Sequence, residues 1–222
     1  MKLVKPALDV GFQIAATDPS VMLAHYRDVL GVHFDHDLPL GGGRMQSRHT
    51  WGDSVIKLNH RRDAVPQAPA TGWAGLTLFG PNVTEPGAGT DPEGNVVTRT
   101  PAHSETVEVA LAVRDAQASL TFFAALDLPV DGDRIGIGAS AIRVQETPAA
   151  SHAGLEGPGL RYITLQIDQA DRAHARALEA GAMEGMAPRT LGTVARISFI
   201  VEPGGNWIEL SQRASLVGRL DT

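Results

Sequence analysis

The chain repeats a unit, and that repeat constrains its fold more than any other feature of the sequence. Residues 11–18, GFQIAATD, residues 108–115, EVALAVRD, and residues 162–168, YITLQID, each read as an apolar strand ending in Asp. A helical pattern follows each of them. In DPSVMLAHYRDVLG, Asp18 stands at the N-cap and Pro19 at the first helical position. Leu23, Tyr26 and Leu30 then form the inward stripe and Gly31 ends the helix. Leu120 and Phe123 take the same offsets behind Asp115. In DQADRAHARALEAGA the stripe falls on Ala and Leu, with Leu178 expected inside and Gly181 as the stop. Short strands follow each helix: RMQSRHTW and SVIKLNH, RIGIG and SAIRVQE, VARISFIVE and NWIELSQ. The unit is strand–helix–strand–strand–strand, at roughly 10–60, 107–147 and 160–212.

Between the first and second full copies lies GWAGLTLFGPNVTEPGAGTDPEGNVVTRT. It has a first strand and a closing hairpin, but a Gly/Pro-rich loop stands where the helix belongs, so it reads as a unit that has lost its helix. An acid–Pro–x–Gly–Asn knot occurs in this remnant, as DPEGN, and again in the last unit, as EPGGN. Pro presets the first turn position, and Gly and Asn tolerate the left-handed backbone that reverses the chain. Beyond the second knot Trp207, Glu209 and Ser211 face one way while Ile208 and Leu210 face the other. Pro/Gly-rich joints at RRDAVPQAPATG and ETPAASHAGLEGPG separate the units. Two domains are expected: residues 1–100, with the first unit and the degenerate second, and residues 101–222, a C-terminal pair of full units.

Composition narrows the function. A chain of 222 residues, 43% apolar and 20% charged, can bury a sizeable core. The net charge of −6 and the lack of any basic cluster beyond Arg61–Arg62 argue against a nucleic-acid partner. The absence of cysteine excludes disulfides, thiol catalysis and thiolate metal sites. The start, MKLVKPALDVGF, lacks a signal-peptide run, and no stretch approaches a membrane span, so a cytoplasmic location without membrane contact is expected.

The pattern resembles the vicinal oxygen chelate superfamily, which includes glyoxalase I, bleomycin-resistance proteins, fosfomycin-resistance enzymes and extradiol dioxygenases. The resemblance covers nearly the whole chain. It is clearest in residues 160–212, where LRYITLQID, the LEAGA helix end and EPGGNWIEL follow in family order. It implies an α+β fold of tandem βαβββ units paired into half-open barrels around a small-molecule cavity, with the second unit lacking its helix. In metal-using members the ligands are a His on a unit's first strand and a Glu on its last. The His position falls on Gly11, Glu108, Tyr162 and, in the remnant, near Gly75; the Glu position falls on Lys57, Thr98, Arg143 and Glu209. Only Glu209 keeps the ligand type, so the resemblance implies no metal and no other cofactor here. The histidines do not repair the set. His25 and His174 fall on helices, His60, His103 and His152 at strand ends or in linkers, and His33 and His49 have no matched carboxylate.

Two pairings of units are open in the family, and pairing determines the site. If neighbours pair, the third packs with the fourth, and Glu108, Arg143, Tyr162 and Glu209 converge, with Gln166, Thr164 and Trp207 on the same face. The short joint between these units and the four matched polar groups favour this arrangement. Glu209, Tyr162 and Glu108 are then the candidate acid–base residues, and Arg143, Trp207, Gln166 and Thr164 the candidate substrate contacts. The plain alternative is that Arg143 and Glu209 neutralise each other. If instead the first unit packs with the fourth, Glu209 meets Lys57 and Gln13. Three functions fit: a metal-independent superfamily enzyme such as an isomerase or lyase, a drug-binding protein without catalysis, and a metal-dependent dioxygenase or glyoxalase with displaced ligands. The sequence does not separate the first two. A small-molecule ligand is common to all three, and a homodimer through the edge left by the missing helix is compatible with each.

Overall fold

The structure, a computed structural model, describes residues 1–84, 86–148 and 153–220; His152 and the rest of the segment 149–152 lie outside them. The first unit runs through β1 (Asp9–Gln13), α1 (Ser20–Ala24) with a π-helical turn at His25–Val29, β2 (His33–Gly41), β3 (Arg44–Trp51) and β4 (Ser54–Arg61). The second is β5 (Trp73–Gly80), β6 (Gly87–Thr90) and β7 (Val96–Pro101). No described residue between β5 and β7 is helical, which fits a unit without its helix. The third unit comprises β8 (Thr106–Val113), α2 (Ala116–Ala125), β9 (Val130–Asp131), β10 (Arg134–Ile137) and β11 (Ser140–Glu146). The fourth comprises β12 (Gly159–Gln166), α3 (Ala170–Glu179), β13 (Met183–Leu191), β14 (Ala195–Val201) and β15 (Trp207–Arg213), followed by the short α4 (Ala214–Val217). The fold is α+β, and no helix among the described residues is long and apolar enough to cross a membrane.

The units pair first with fourth and second with third. One sheet has the order β13-β14-β15-β12-β1-β4-β3-β2, the other β6-β7-β5-β8-β11-β10-β9. This overturns the neighbour pairing of third with fourth, and each sheet takes strands from both sides of residue 100. The linkers give the physical reason. Residues 102–105 join β7 to β8, too short a span to leave the sheet, so the second unit closes on the third. The longer joints at 62–72 and 147–158 carry the chain from one sheet to the other.

Each sheet places one face against helices. Val10, Phe12, Ile56, Leu58, Ile163, Leu165, Ile208 and Leu210 form that face in the first sheet, all essentially excluded from water. Tyr26 and Leu30 pack against it from the first unit's helical segment, with Leu23 partly buried; the Tyr26 ring meets Phe12 edge-on at 5.6 Å. Fully burying a side chain such as Phe12 contributes about 1.5–3 kcal/mol. Phe123 does the same under α2. Leu178 does not: it is 36% exposed, and the stripe that α3 buries is Ala170, Ala173, His174 and Ala177. Small residues let this helix lie close to the strands, which turns Leu178 outward.

The two knots fasten units together. Asp91 accepts from the backbone N–H groups of Glu93 and Asn95 and from Asn95 Nδ2, while Glu202 accepts from those of Gly204 and Asn206 and from Asn206 Nδ2. Each acid, once its own turn is closed, accepts one more hydrogen bond from another unit's helical segment. Tyr26 Oη donates to Asp91 at 3.1 Å and Ser119 Oγ to Glu202 at 2.9 Å. Both acids are buried, so the turn supplies donors that water no longer can.

Candidate functional site

The hollow face of the first sheet is polar. Alternation places Asp9 and Gly11 of β1, Lys57 and Asn59 of β4, Arg48 and Gln46 of β3, Tyr162, Thr164 and Gln166 of β12, and Glu209 of β15 on this face. Every one of these polar residues is buried. At the centre, Lys57 Nζ donates to Glu209 Oε2 and to Thr164 Oγ1, both at 2.6 Å, and Thr164 Oγ1 donates to the same carboxylate oxygen at 2.7 Å. The ammonium lies 5.3 Å from the centroid of the Tyr162 ring.

Tyr162 occupies the room left by Gly11. A Cβ at position 11 would fall 2.2 Å from Tyr162 Cζ, so only glycine admits the ring there. Its hydroxyl accepts from Asn59 Nδ2 at 3.2 Å. Asn59 Oδ1 in turn accepts from Gln46 Nε2 at 2.9 Å, and Gln46 Oε1 accepts from Arg48 Nη1 at 2.7 Å. On the other side Asp9 accepts from Lys5 Nζ at 2.7 Å, Gln166 Nε2 at 2.8 Å and the Val55 N–H at 2.9 Å. Trp207 closes the fourth-unit side as a wall. Its Nε1 donates to the Ala153 carbonyl, its ring covers Gly185, and Phe199 stands edge-on between it and Tyr162.

Burial and charge set the protonation states. Burial alone would raise the Glu209 carboxyl, but the Lys57 charge and hydrogen bond outweigh it and hold Glu209 below its ordinary value. Asp9 is likewise held low, burial being outweighed by Lys5 and Lys57. Burial pushes Lys57 below the usual ammonium range, while Glu209 and Asp9 pull it back. The Tyr162 phenol is raised by burial and by the Glu209 charge. The centre is an ionised pair beside a neutral phenol.

The structure brings together Glu209, Tyr162, Thr164, Gln166 and Trp207, and separates Glu108 and Arg143 from them. The last two face the hollow of the second sheet, because β8 and β11 belong there. Arg143 Nε donates to Glu108 Oε1 at 3.0 Å, and its Nη1 donates to Asp133 at 2.8 Å. Arg143 therefore neutralises Glu108 rather than Glu209, and Glu209 is neutralised by Lys57. Asp9, Asn59, Arg48 and Gln46 were not among the expected site residues, and Lys57 was expected beside Glu209 only if the first unit packs with the fourth, as it does. Asp9 was findable by the criterion that found Glu209: a carboxylate among inward positions of an apolar strand, LDVGF. The registers show why it was passed over. Asp9 pairs with Thr164 and Gly11 with Tyr162, so across this antiparallel pair Asp9, not Gly11, is the counterpart of Tyr162. A β-bulge at Gly11–Phe12 shifts the register just beyond that position.

The donor set does not fit a transition metal. By register its four matched positions carry Asp9, Lys57, Tyr162 and Glu209, and Glu209 is already engaged by an ammonium. Asp9 is tied to Lys5, Gln166 and a backbone N–H, and among the described residues no group of three or more His, Asp or Glu is placed to hold a metal ion.

The profile of the Glyoxalase/Bleomycin resistance protein/Dioxygenase superfamily matches residues 106–210. No curated protein sequence matches the chain. The fold is similar to that of glyoxalase I from Zea mays, with a TM-score of 0.77 at 13% identity, covering 92% of this chain and 91% of that one. It is also similar to a candidate dioxygenase from Bacillus subtilis, with a TM-score of 0.73 at 10% identity, covering 94% of this chain and 86% of that one. The cppA protein from Streptococcus pneumoniae gives a TM-score of 0.57 at 10% identity, over 93% and 98% of the two chains. Residues 106–210 match that superfamily's profile, and the chain as a whole has the fold of paired strand–helix–strand units seen in these structures.

Proposed function

We propose that the protein binds a small organic molecule in the hollow of its first and fourth units, without a metal, and that Lys57 carries there the positive charge a metal carries in other members. The observation behind this reading is the Lys57 ammonium, 2.6 Å from both Glu209 Oε2 and Thr164 Oγ1, where the inward positions of two units converge. The protonation states favour binding over acid–base catalysis. A general acid or base works best with its pKa near the ambient pH, whereas Glu209 is held below and Tyr162 above its ordinary value. Glu108, the third expected acid–base residue, is spent on Arg143 in the other hollow. A cytoplasmic small-molecule binder with no nucleic-acid partner belongs to the same proposal.

Elemental analysis of the purified protein, followed by thermal unfolding with Ni²⁺, Mn²⁺, Zn²⁺ and Fe²⁺, tests it. The expected result is no stoichiometric metal and no stabilisation by any of the four. One bound equivalent of a transition metal, lost in Glu209→Gln, would overturn the reading.

A further inference from the structure

The charges on the first sheet's hollow face do not balance. Lys57, Arg48 and Arg213 are cations on this face, with Arg44 and Arg61 at its end paired to Glu156; Asp9 and Glu209 are the carboxylates at its centre, and Asp9 is shared with Lys5 at the rim. Arg213 follows Glu209 and Ser211 on the inward side of β15, since Ile208, Leu210 and Gln212 take the helix side, where Gln212 Oε1 accepts from the Ala170 N–H. Both carboxylates are consumed by lysines and neutral donors. Among the described residues Arg48, only 4% exposed, hydrogen-bonds Gln46 alone, and its Nε is shut away from water without a partner. The Nε of the half-buried Arg213 is likewise buried and partnerless.

A guanidinium has five donors in a planar fork, and burying it without a counter-charge costs several kcal/mol. Two such forks on one hollow, one from each pseudo-symmetric unit, form a site of defined chemistry. We propose that this hollow takes the oxyanion of a small ligand, a carboxylate or a phosphate, between Arg48 and Arg213. Charge-assisted, two-point bonding to such a group is what these forks are shaped for. The repulsion between them supports the geometry: burial first, then the Arg213 charge, depresses the Arg48 guanidinium. Glu209, whose side chain keeps 12% exposure, and the half-buried Arg213 are where solvent touches this face. This inference rests on the hollow being the ligand site, and it adds the ligand's charge.

The test uses acetate, benzoate and inorganic phosphate as anionic probes, with benzamide and benzylamine as uncharged and cationic controls, at constant ionic strength. Binding is read from the arginine Nε–H signals in a ¹H–¹⁵N spectrum, assigned with Arg48→Lys and Arg213→Lys, and from thermal shifts. The anions are expected to move the Arg48 and Arg213 signals saturably, and Arg213→Met to weaken them about tenfold or more. Carboxylate and phosphate are told apart by which saturates at the lower concentration. Arg213→Met removes one of two like charges, so its melting temperature is expected to hold. Should it fold poorly, Arg213→Lys keeps the charge without the fork and carries the same expected weakening for phosphate. Anions that move neither signal, or that bind Arg213→Met as well as wild type, overturn the inference. If benzamide and benzylamine move the hollow's signals as strongly as benzoate, the oxyanion requirement falls while the ligand site stands. A stoichiometric metal would instead overturn the underlying reading.

Discussion

The two sheets of this protein each place an ion pair on the hollow face and bury it to a different depth. In the first sheet the pair is Lys57 with Glu209, from the last strands of two different units, with the lysine side chain 2% and the glutamate 12% exposed. In the second the pair is Arg143 with Glu108, from neighbouring strands of one unit, at 40% and 18% exposure. Thr98 and Thr77 fill the remaining inward positions there, where the first sheet has Glu209 and Thr164. The second unit is the one without a helix, and among the described residues its strands contribute no charged group to that hollow. The ion pair on a hollow face is the more deeply buried where both partner units are complete.

That contrast makes the largest expected effect a stability effect at the first pair. Removing one partner of a buried pair strands a charge, so Lys57→Met and Glu209→Leu are each expected to cost about 3–5 kcal/mol in chemical denaturation. The double variant is expected to recover most of that loss, because it strands neither charge. Independent, additive costs would show that the two groups do not share one buried environment. The pair also carries a pH signature. Glu209 is held below its unfolded value of 4.5, so its contribution is present above pH 4.5 and is lost as the pH falls through the folded value. The double variant should lose part of the wild-type acid sensitivity between pH 5 and lower values; an unchanged acid profile would assign that sensitivity to Asp9 and other carboxylates instead.

A second test concerns the glycine under the ring. At Gly11 a Cβ would meet Tyr162 Cζ at 2.2 Å, with the ring held by Asn59, Phe199 and Lys57; at Gly75 on β5, the inward position in the other sheet, the nearest atom is 3.5 Å away. Gly11→Ala is expected to cost about 1–3 kcal/mol and Gly75→Ala almost nothing. In a Tyr162→Ala background the Gly11→Ala cost should vanish. If it persists, the strand and not the ring is the constraint.

Much of this was legible in the chain. The repeat, the lost helix and the stripe of Tyr26 and Leu30 follow from periods of two and 3.6, which are local properties. Glu209 was legible because a carboxylate on an inward strand position needs a partner. Its partner was not, because Lys57 lies 152 residues away and the choice between two unit pairings is made by linker geometry. The decisive signal was the brevity of residues 102–105, which binds the second unit to the third, rather than the moderate length of 147–158. The knots divide in the same way. Their turns are written in Pro, Gly and Asn, but their tertiary role depends on Tyr26 and Ser119, which nothing near either knot announces. Losing one of those hydroxyls, in Tyr26→Phe or Ser119→Ala, is expected to cost about 1–3 kcal/mol, since each leaves a buried carboxylate one donor short.

The smallest expected effect lies in the second hollow. Arg143→Met removes the partner of Glu108, yet both groups reach water and Arg134 stands 3.6 Å from the same carboxylate as a second cation. Solvent screening and that spare cation should keep the loss under about 1 kcal/mol, and it should shrink further between 0.01 and 1 M salt as the Debye length falls from roughly 30 to 3 Å. The Lys57 and Glu209 losses should change much less over the same range in a salt whose anion does not bind the hollow, because burial leaves the pair little screened. Comparing the salt slopes of Arg143→Met and Lys57→Met in one denaturation series therefore isolates burial from charge. Equal slopes would mean that the first hollow is as open to solvent as the second, and that the depth assigned to the Lys57–Glu209 pair is wrong.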